Sequence, residues 1–364
     1  MKKNILFIVP SLHGGGAERV IVTLLNNINV EKFSFSLALI NNRGPLINEL
    51  SKKIDIIDLK ADRVRYAFIK LLKLVWSNKP DIIFSTLGHL NLLVIITKII
   101  MPKKIKYICR ETNIPSLVHK SKIKYYIFLF LYRSLYKYFD SVVCQSIDMR
   151  KDLIERYDVP YSKLSLINNP CDTQRIQNRI NKSKKDVYFP KEKINLLSVG
   201  SLTNQKGFDL LLNAMSKIKD DRFHLTMIGV GPERQKLQDL VNKLNISNRI
   251  DFIGFKDNPY VYMYHADLFI LSSRYEGFPN VVLESMACGT AVVAYDSPGD
   301  LNTIIDNGNN GYLVKYLNVK ELAETIVKAS KIKFDSISIQ NSVIERFSIK
   351  KIIPKYEKLF LNDY

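Results

Sequence analysis

The sequence is poor in the residues that mark several protein classes. It has four cysteines among 364 residues, with no CxxC pair and no metal-finger spacing, so we expect neither a disulfide scaffold nor a zinc module. Glycine and proline number only 15 and 13, and 46% of residues are hydrophobic, which excludes collagen-like and disordered classes. No apolar run approaches the roughly 18–20 residues of a membrane-spanning helix. The apolar run at residues 5–9 is too short for a signal peptide, so we expect a soluble, cytoplasmic protein.

Positive charge is unevenly distributed along the chain. The net charge is +19, and residues 1–185, which contain 32 of the 54 Lys and Arg residues, carry almost all of it. This excess indicates an anionic partner, although a lysine-rich surface that only maintains solubility is the alternative. The first half has no helix-turn-helix, zinc-finger or RNA-recognition pattern. An acidic membrane surface is therefore a better candidate than nucleic acid, and we expect no nucleic-acid partner.

Short apolar, β-rich runs alternate with helical patterns along the whole chain. This order is typical of parallel sheets that are covered by helices on both faces, and the length suits two domains. The sequence predicts an α/β protein with two doubly wound, Rossmann-like domains at residues 1–180 and 190–345, and a linker within residues 174–193. In such folds ligands bind beyond the carboxyl ends of the strands, so we expect a site in a cleft between the domains.

Two loops contain residues suited to phosphate binding. In the first, residues 11–19 (SLHGGGAER), glycines precede a helix and would let backbone N–H groups approach a phosphate. Arg19 stands where GxGxxG has its third glycine, which disfavours a nicotinamide dehydrogenase; taken alone, the loop could equally be a tight turn. The second, residues 198–209 (SVGSLTNQKGFD), places Lys206 between a strand and a helix, where it could meet a diphosphate or simply be solvated.

Residues 272–289 give the strongest indication of chemistry. Glu276 is predicted to end a strand, Pro279 to begin a helix, and Glu284 to lie about one turn into that helix. Two carboxylates beside a helix N-terminus can hold sugar hydroxyls while the N–H groups take a phosphate. For Glu284 the alternative is an ordinary solvated carboxylate near a helix start. The apolar surroundings of Glu276 are harder to explain without a ligand.

Taken together, these motifs resemble those of retaining glycosyltransferases of family 4, which have the GT-B fold. The resemblance covers almost the whole chain and rests on Gly-Gly-Gly-Ala-Glu-Arg, Val-Gly-Ser-Leu-Thr-Asn-Gln-Lys-Gly-Phe-Asp, Ile-Gly-Val-Gly-Pro-Glu-Arg and the Glu-x7-Glu element of Glu276 and Glu284. Within the family, the chain is similar to bacterial transferases that build capsules, exopolysaccharides and O-antigens, including the amylovoran type. The resemblance also implies that a last helix, within residues 346–364, packs back onto the first domain.

The resemblance assigns roles to individual residues. Lys206 would bind the donor diphosphate, Glu276 would contact the donor sugar, and Glu284 would hold the ribose. The other implied substrate-binding residues are Gly15 and Gly16 from the first domain and Ser201, Phe255, Gly277, Phe278, Pro279, Asn280 and Val281 from the second. The resemblance implies a nucleotide-sugar donor, with UDP favoured by family frequency, net retention of configuration, and no metal cofactor. A DxD motif, typical of metal-dependent GT-A enzymes, is absent.

The chain departs from the family pattern at two places. Ser201 stands where the family usually has an arginine, so one diphosphate contact must be weaker or come from elsewhere, with Arg274 and Arg19 as candidates. Many members also have a functional histidine after the fourth or fifth strand of the first domain. Here Glu111 and, less strongly, His119 are the acceptor-side candidates.

Residues 120–138 interleave lysine and arginine with aromatic residues, a pattern suited to a membrane interface. It predicts that the first domain docks peripherally on the anionic inner face of the cell membrane, where a lipid-linked glycan acceptor would be found. A helix packed in the core is the alternative. For the whole protein, two other functions stay open: a same-fold epimerase or phosphorylase, and a non-catalytic two-domain sugar-binding protein.

Overall fold

The computed structural model describes residues 2–101, 104–118, 122–183, 189–190 and 192–362. The chain divides into two compact units. Unit 1 comprises Met1–Pro170 and Ile349–Tyr364, and unit 2 comprises Cys171–Ser348. The division therefore falls at Pro170, ten residues before the boundary predicted at residue 180, and the chain re-enters unit 1 at Ile349 rather than at residue 346.

Unit 1 contains a parallel sheet whose strands are joined by helices. Its strands are β1 (Lys3–Val9), β2 (Phe33–Leu39), β3 (Asp55–Asp58), β4 (Ile82–Thr86), β5 (Lys106–Arg110), β6 (Ser141–Cys144) and β7 (Leu164–Leu166). Its helices up to residue 170 are α1 (Gly16–Asn27), α2 (Phe68–Asn78), α3 (Gly88–Ile100), α4 (Pro115–Val118), α5 (Lys122–Leu135) and α6 (Ile147–Tyr157). The strand order is β3-β2-β1-β4-β5-β6-β7. The central strands are buried on both faces, which explains their continuous apolar runs.

Unit 2 repeats this architecture with six strands. These are β8 (Ile194–Val199), β9 (Phe223–Ile228), β10 (Ile250–Phe252), β11 (Leu268–Leu271), β12 (Val292–Tyr295) and β13 (Gly311–Val314), in the order β10-β9-β8-β11-β12-β13. Its helices are α7 (Thr173–Ser183), α8 (Phe208–Lys217), α9 (Arg234–Lys243), α10 (Tyr260–His265), α11 (Asn280–Ala287), α12 (Val319–Ala329) and α13 (Ser336–Phe347). Because β8 and β11 are neighbours, the loops that follow them leave the sheet side by side.

The predicted linker is wrong for its first part. Thr173–Ser183 forms α7, a helix of unit 2, because Ile176 and Ile180 lie one turn apart and are both buried in the unit 2 core. The Gln177 side-chain amide also donates to the Ala287 carbonyl at 2.8 Å. Residues 184–188 and 191 lie outside the described residues.

The last helix, α14 (Ile349–Leu361), belongs to the core of unit 1. Phe360 is fully buried, and its ring meets those of Phe7, Phe33 and Phe84 edge to face at centroid distances of 6.3, 5.9 and 5.6 Å. The Lys106 ammonium donates to the Leu359 carbonyl near the end of the helix. The helix therefore completes one face of the first sheet. In the described part of the chain, no helix has both the length and the apolar character to cross a bilayer.

Candidate active site

The Lys206 ammonium and the Glu276 carboxylate form the centre of the candidate site in unit 2. Lys206 Nζ lies 2.6 Å from Glu276 Oε1, and the Ser273 hydroxyl donates to the same oxygen, also at 2.6 Å. The Glu276 side chain is 7% exposed and that of Lys206 is 20% exposed. The two residues proposed to be catalytic are thus in contact. Lys206 is the more exposed member of the pair, and the buried Glu276 carboxylate is fixed by Lys206 and Ser273.

Two glycines allow the loops around this pair to approach each other. Gly207 has a φ of +62°, and a side chain there would overlap the carbonyl of Ser272 in the neighbouring loop. Gly299 has a φ of +129°, and a side-chain carbon there would lie 2.7 Å from the carbonyl oxygen of Glu276. Both positions therefore require glycine. The prediction that Glu276 ends a strand is wrong, because β11 ends at Leu271 and Glu276 lies in the loop beyond it, where its N–H donates to the Pro298 carbonyl.

Arg274 forms hydrogen bonds that hold these loops together. Its guanidinium donates to both carboxylate oxygens of Asp209, at 2.8 and 2.7 Å, and to the carbonyl of Asn204. Burial would raise the pKa of Asp209, but the hydrogen bonds and charge of Arg274 outweigh it and lower that pKa. The bidentate contact fixes the loop that contains Glu276 to the first turn of α8, and the contact to Asn204 fixes it to the loop that contains Lys206. Arg274 is thus paired with Asp209, and its replacement of the arginine missing at Ser201 stays a prediction.

Glu284 lies on α11, five residues into the helix, as the sequence predicts. Pro279 precedes the helix as its N-cap, and α11 begins at Asn280. The Glu284 carboxylate is half-buried, and Oε1 accepts from the Tyr260 hydroxyl at 3.4 Å, while that hydroxyl accepts from the Arg175 guanidinium at 3.0 Å. The carboxylate therefore has a tyrosine and an arginine beside it, rather than the fully solvated surroundings of the alternative interpretation.

The other predicted residues of unit 2 surround the same sheet edge. Ser201 is exposed in the loop after β8, and Phe255 is exposed in the loop after β10. Gly277, Phe278 and Pro279 are buried in the turn between β11 and α11, and Asn280 and Val281 are half-buried at the start of that helix. All of them follow carboxyl ends of parallel strands.

In unit 1, Gly15 and Gly16 lie where the first strand leads into the first helix. Gly15 is the N-cap of α1 and Gly16 its first residue. The Glu18 carboxylate folds back over Gly15 so closely that a side chain at position 15 would overlap it. A phosphate at this helix end would have to displace Glu18 or share the N–H groups with it. Arg19, the other candidate to replace the missing arginine, pairs with Glu49 at 3.2 Å.

Glu111, predicted on the acceptor side, follows β5 at the carboxyl edge of the unit 1 sheet and is 3% exposed. Its Oε1 accepts from the hydroxyls of Tyr136 and Tyr132 and from the side-chain amide of Asn91, the last two at 3.4 and 3.2 Å. Burial raises its pKa to about 7, while these hydrogen bonds and the charge of Arg110 oppose the rise. Glu111 is thus a buried, tightly held carboxyl group. His119 lies outside the described residues.

Sequence reasoning missed His89, the second residue of α3. It follows β4, the fourth strand of unit 1, and as a residue it is exposed at the carboxyl edge of the sheet. Partial burial lowers its pKa from the usual 6.5. The pattern Leu87-Gly88-His89 directly after a predicted strand was the signal that could have identified it. Within the described ranges, no group of three or more His, Cys, Asp or Glu side chains could hold a metal ion.

Helix α5 presents two different faces. Tyr132 is buried, whereas Ile123, Tyr126, Ile127 and Phe130 are each more than half exposed and follow one another at helical spacing. We call these four residues the α5 ridge. Basic residues flank it: Lys124 and Lys137 are exposed, and Arg133 pairs with Asp158 at 3.0 Å. Lys120 lies outside the described residues, and the side chain of Lys122 is not described.

Comparison with known proteins identifies the family of the chain. The model "Glycosyltransferase Family 4" matches residues 14–175, and "Glycosyl transferases group 1" matches residues 179–343. The Campylobacter jejuni N-acetylgalactosamine-N,N'-diacetylbacillosaminyl-diphospho-undecaprenol 4-alpha-N-acetylgalactosaminyltransferase is 30% identical over 327 residues, which is 87% of each chain. The Escherichia coli O-antigen biosynthesis glycosyltransferase WclY is 28% identical over 291 residues, covering 78% of this chain and 79% of that relative.

Solved structures agree on the fold. Anabaena Alr3699/HepE in complex with UDP matches with a TM-score of 0.79 and 19% identity over 99% of both chains. Sucrose-phosphate synthase from Thermosynechococcus elongatus matches with a TM-score of 0.82 and 18% identity, over 99% of this chain and 98% of that one. The motifs, the two Rossmann-like sheets and these matches agree with one another. The chain belongs to glycosyltransferase family 4 and is a glycosyltransferase with the GT-B fold.

Proposed function

We propose that this glycosyltransferase moves a sugar from a UDP-sugar to a lipid-linked glycan during the synthesis of a bacterial surface polysaccharide. The observation that carries the proposal is the Lys206–Glu276 pair at the carboxyl edge of the unit 2 sheet. The polysaccharide role is supported by the names of relatives, which include an O-antigen transferase and a transferase that acts on a diphospho-undecaprenol glycan. The UDP donor is supported by the HepE complexes with UDP and with UDP-glucose.

In this proposal, Lys206 acts on the leaving group. As the bond between the sugar and the diphosphate breaks, negative charge grows on the diphosphate oxygen, and a fixed ammonium stabilises that charge. Glu276 holds Lys206 in place and also accepts hydrogen bonds from hydroxyls of the donor sugar. Glu284 receives the ribose hydroxyls, and the N–H groups at the start of α11 face the diphosphate. The acceptor hydroxyl attacks the sugar on the face from which the diphosphate leaves, so the configuration is retained.

The cation in this scheme is a side chain, so we propose that transfer needs no metal cofactor. The assay is transfer in the presence of EDTA, followed by addition of Mg²⁺ or Mn²⁺. Full activity in EDTA is expected. Loss of activity in EDTA and its return with metal would contradict the metal-free part of the proposal alone.

We further propose that unit 1 docks on the anionic inner face of the membrane through the α5 ridge, with the lipid-linked acceptor held there. The exposed apolar residues of the ridge would enter the interface, and the lysines beside it would meet anionic headgroups. The same helix packs Tyr132 into the unit 1 core, so packing and docking use different faces. The alternative interpretation, a core helix with solvated lysines, does not account for four exposed apolar side chains on one face.

The decisive experiment offers a panel of nucleotide sugars to the purified protein, with a lipid extract of bacterial membranes as acceptor, and measures nucleotide release. We expect one donor to release its nucleotide, and only when the extract is present. NMR of the glycolipid product should show that the new linkage has the donor's anomeric configuration. Lys206→Ala is the control for a contaminating enzyme. Formation of sugar phosphate from the glycan of the extract when inorganic phosphate is added would instead indicate a phosphorylase. Conversion of the donor to its epimer without an acceptor would indicate an epimerase. An inverted linkage would overturn the retaining mechanism only.

A further inference from the structure

The turn between β4 and α3 is strained and tightly held. Leu87 has a φ of +76°, a left-handed conformation that a leucine rarely adopts, and the next two residues are Gly88 and His89. The Leu87 carbonyl accepts from the N–H groups of Leu90 and Asn91, both at 2.9 Å. Unfavourable backbone conformations persist where the surrounding structure imposes them, and they cluster at functional sites. The turn also lies at the carboxyl edge of the unit 1 sheet, where ligands of this fold bind.

Two side chains from elsewhere in unit 1 hold the turn. The Tyr132 hydroxyl lies so close to Gly88 that any side chain at that position would overlap it. A side-chain carbon at residue 88 would also lie 3.6 Å from Glu111 Oε2. The approach of the tyrosine therefore requires Gly88, and the Glu111 carboxyl group lies beside the same position at an ordinary contact distance.

Glu111 is the centre of this arrangement. Its Oε1 accepts from Tyr132 of α5, from Tyr136 directly after that helix, and from Asn91 in the first turn of α3. The side-chain oxygen Oδ1 of Asn91 accepts from the Ser85 hydroxyl of β4 at 2.8 Å. The rings of Tyr132 and Tyr136 stack with a centroid distance of 4.0 Å. One carboxyl group thus joins α3, α5 and the ends of two strands around the turn.

His89 is the exposed residue of this turn. Partial burial lowers the pKa of its imidazole and so favours the uncharged ring, which has a nitrogen able to accept a hydrogen bond. An uncharged ring nitrogen that accepts a hydrogen bond could orient the attacking sugar hydroxyl of the glycan. Because Gly88 directly precedes His89 and Asn91 follows it by two residues, the position of His89 depends on the contacts that they make.

We propose that Glu111 is a positioning residue, which acts through Tyr132, Tyr136 and Asn91 to fix the turn at residues 87–89 and to hold His89 against the acceptor hydroxyl. The inference rests on the proposed transfer to a glycan acceptor. Glu111 itself is buried and does not touch the acceptor. Loss of the Glu111 carboxyl group should therefore affect acceptor kinetics and leave donor binding unchanged, because the proposed donor contacts are made by unit 2 and by Gly15 and Gly16 of α1.

The test compares Glu111→Gln, Tyr132→Phe and Tyr136→Phe with the control Tyr157→Phe. Tyr157 is buried and packs on the ring of Tyr132 at 5.0 Å, but no hydrogen bond to Glu111 is found for it. In the transfer assay, the first three variants should lose roughly tenfold or more in kcat/KM for the acceptor, as a displaced orienting group would. KM for the donor should stay within about twofold in all four, as expected for a site untouched by the changes.

A second readout does not require activity. The protein has only five histidines, so the His89 ring signals can be followed by NMR of histidine-labelled protein and assigned with His89→Asn. Glu111→Gln, Tyr132→Phe and Tyr136→Phe should each shift the His89 signals and their pH titration while leaving those of His224 in place. Equal effects of Tyr157→Phe on acceptor kinetics, or unmoved His89 signals in folded variants, would overturn the proposal. If no donor is used at all, the proposed function fails, and the NMR result still decides whether Glu111 positions His89.

Discussion

Lys206 and Glu276 are 70 residues apart in the sequence, yet their charged groups lie 2.6 Å from each other. The contact exists because β8 and β11 are adjacent in the sheet and because Gly207 lets their loops meet. Removing one member of a mostly buried ion pair leaves the other without its partner in a poorly solvated place. The pair is therefore a candidate for catalysis and also contributes to stability, so turnover and unfolding must be measured separately.

We expect Lys206→Ala and Glu276→Gln to lower kcat by roughly 10²-fold or more, the loss typical of one fixed electrostatic contact in a transition state. Circular dichroism and thermal unfolding establish whether each variant is folded. Arg222→Ala is the matched control, because Arg222 pairs with Asp220 on the exposed surface of the same unit. Near-normal turnover of folded Lys206→Ala would remove Lys206 from the mechanism.

The buried Glu111 predicts a specific pH dependence of stability. Burial raises its pKa from 4.5 to about 7, so the folded protein binds more protons than the unfolded chain between these values. The free energy of unfolding should therefore fall as the pH rises from about 4.5 to about 7, by an amount on the order of 3 kcal/mol for this one group. Below pH 4.5 the stabilisation of the protonated form is fully present.

Glu111→Gln has no group to titrate and should lose this part of the pH dependence. Urea unfolding at pH 5 and pH 8, with hydrogen exchange of unit 1 peptides to separate the two units, measures the effect. The stability difference between the two pH values should be smaller in the variant than in the unmodified protein. An unchanged difference would mean that Glu111 is already ionised at pH 5.

Membrane docking through the α5 ridge predicts binding that depends on both charge and apolar contact. Vesicles with anionic lipid should carry the protein to the top of a flotation gradient, and about 1 M salt should release much of it, because ions screen the attraction. The double variant Ile127→Ser, Phe130→Ser should weaken binding even at low salt. Lys120→Glu, Lys122→Glu and Lys124→Glu together should abolish the preference for anionic lipid.

The control for the ridge lies in unit 2. Ile337 and Ile344 are also exposed on one helix, α13, and their change to serine should leave flotation unaffected. Equal binding to neutral and anionic vesicles, or binding to neither, would contradict docking by this surface and would leave the transferase activity untouched.

Phe360 should be among the residues on which the stability of unit 1 depends most. Its ring is fully buried against three phenylalanines of the sheet, so Phe360→Ala should cost about 3–5 kcal/mol. Leu361→Ala, at the next and exposed position, should change stability by less than about 0.5 kcal/mol. Hydrogen exchange should show the loss in β1 and β4 rather than in unit 2. A uniform loss across both units would contradict the assignment of α14 to the unit 1 core.

The alternation of strands and helices was readable from the sequence because buried parallel strands leave continuous apolar runs. The sequence does not predict β3, since this edge strand has only four residues and both its first and its last residue, Asp55 and Asp58, are aspartates. Without β3, the strand that the sequence predicts at residues 81–85 counts as the third of unit 1, so His89 is not recognised as following the fourth strand. The tyrosines that donate to Glu111 follow it by 21 and 25 residues, and local periodicity cannot predict contacts at such separations.

The return of α14 to the first unit has a consequence for synthesis on the ribosome. The residues of unit 2 are made after most of unit 1, and only then does the helix with Tyr356 and Phe360 emerge. At translation rates of about 5–20 residues per second, one face of the first sheet stays uncovered for roughly 10–40 s until α14 has been synthesised. During that interval Phe7 and Phe84 have no Phe360 to pack against, so the nascent first unit is open to chaperones and to aggregation while the second unit can already close its own core.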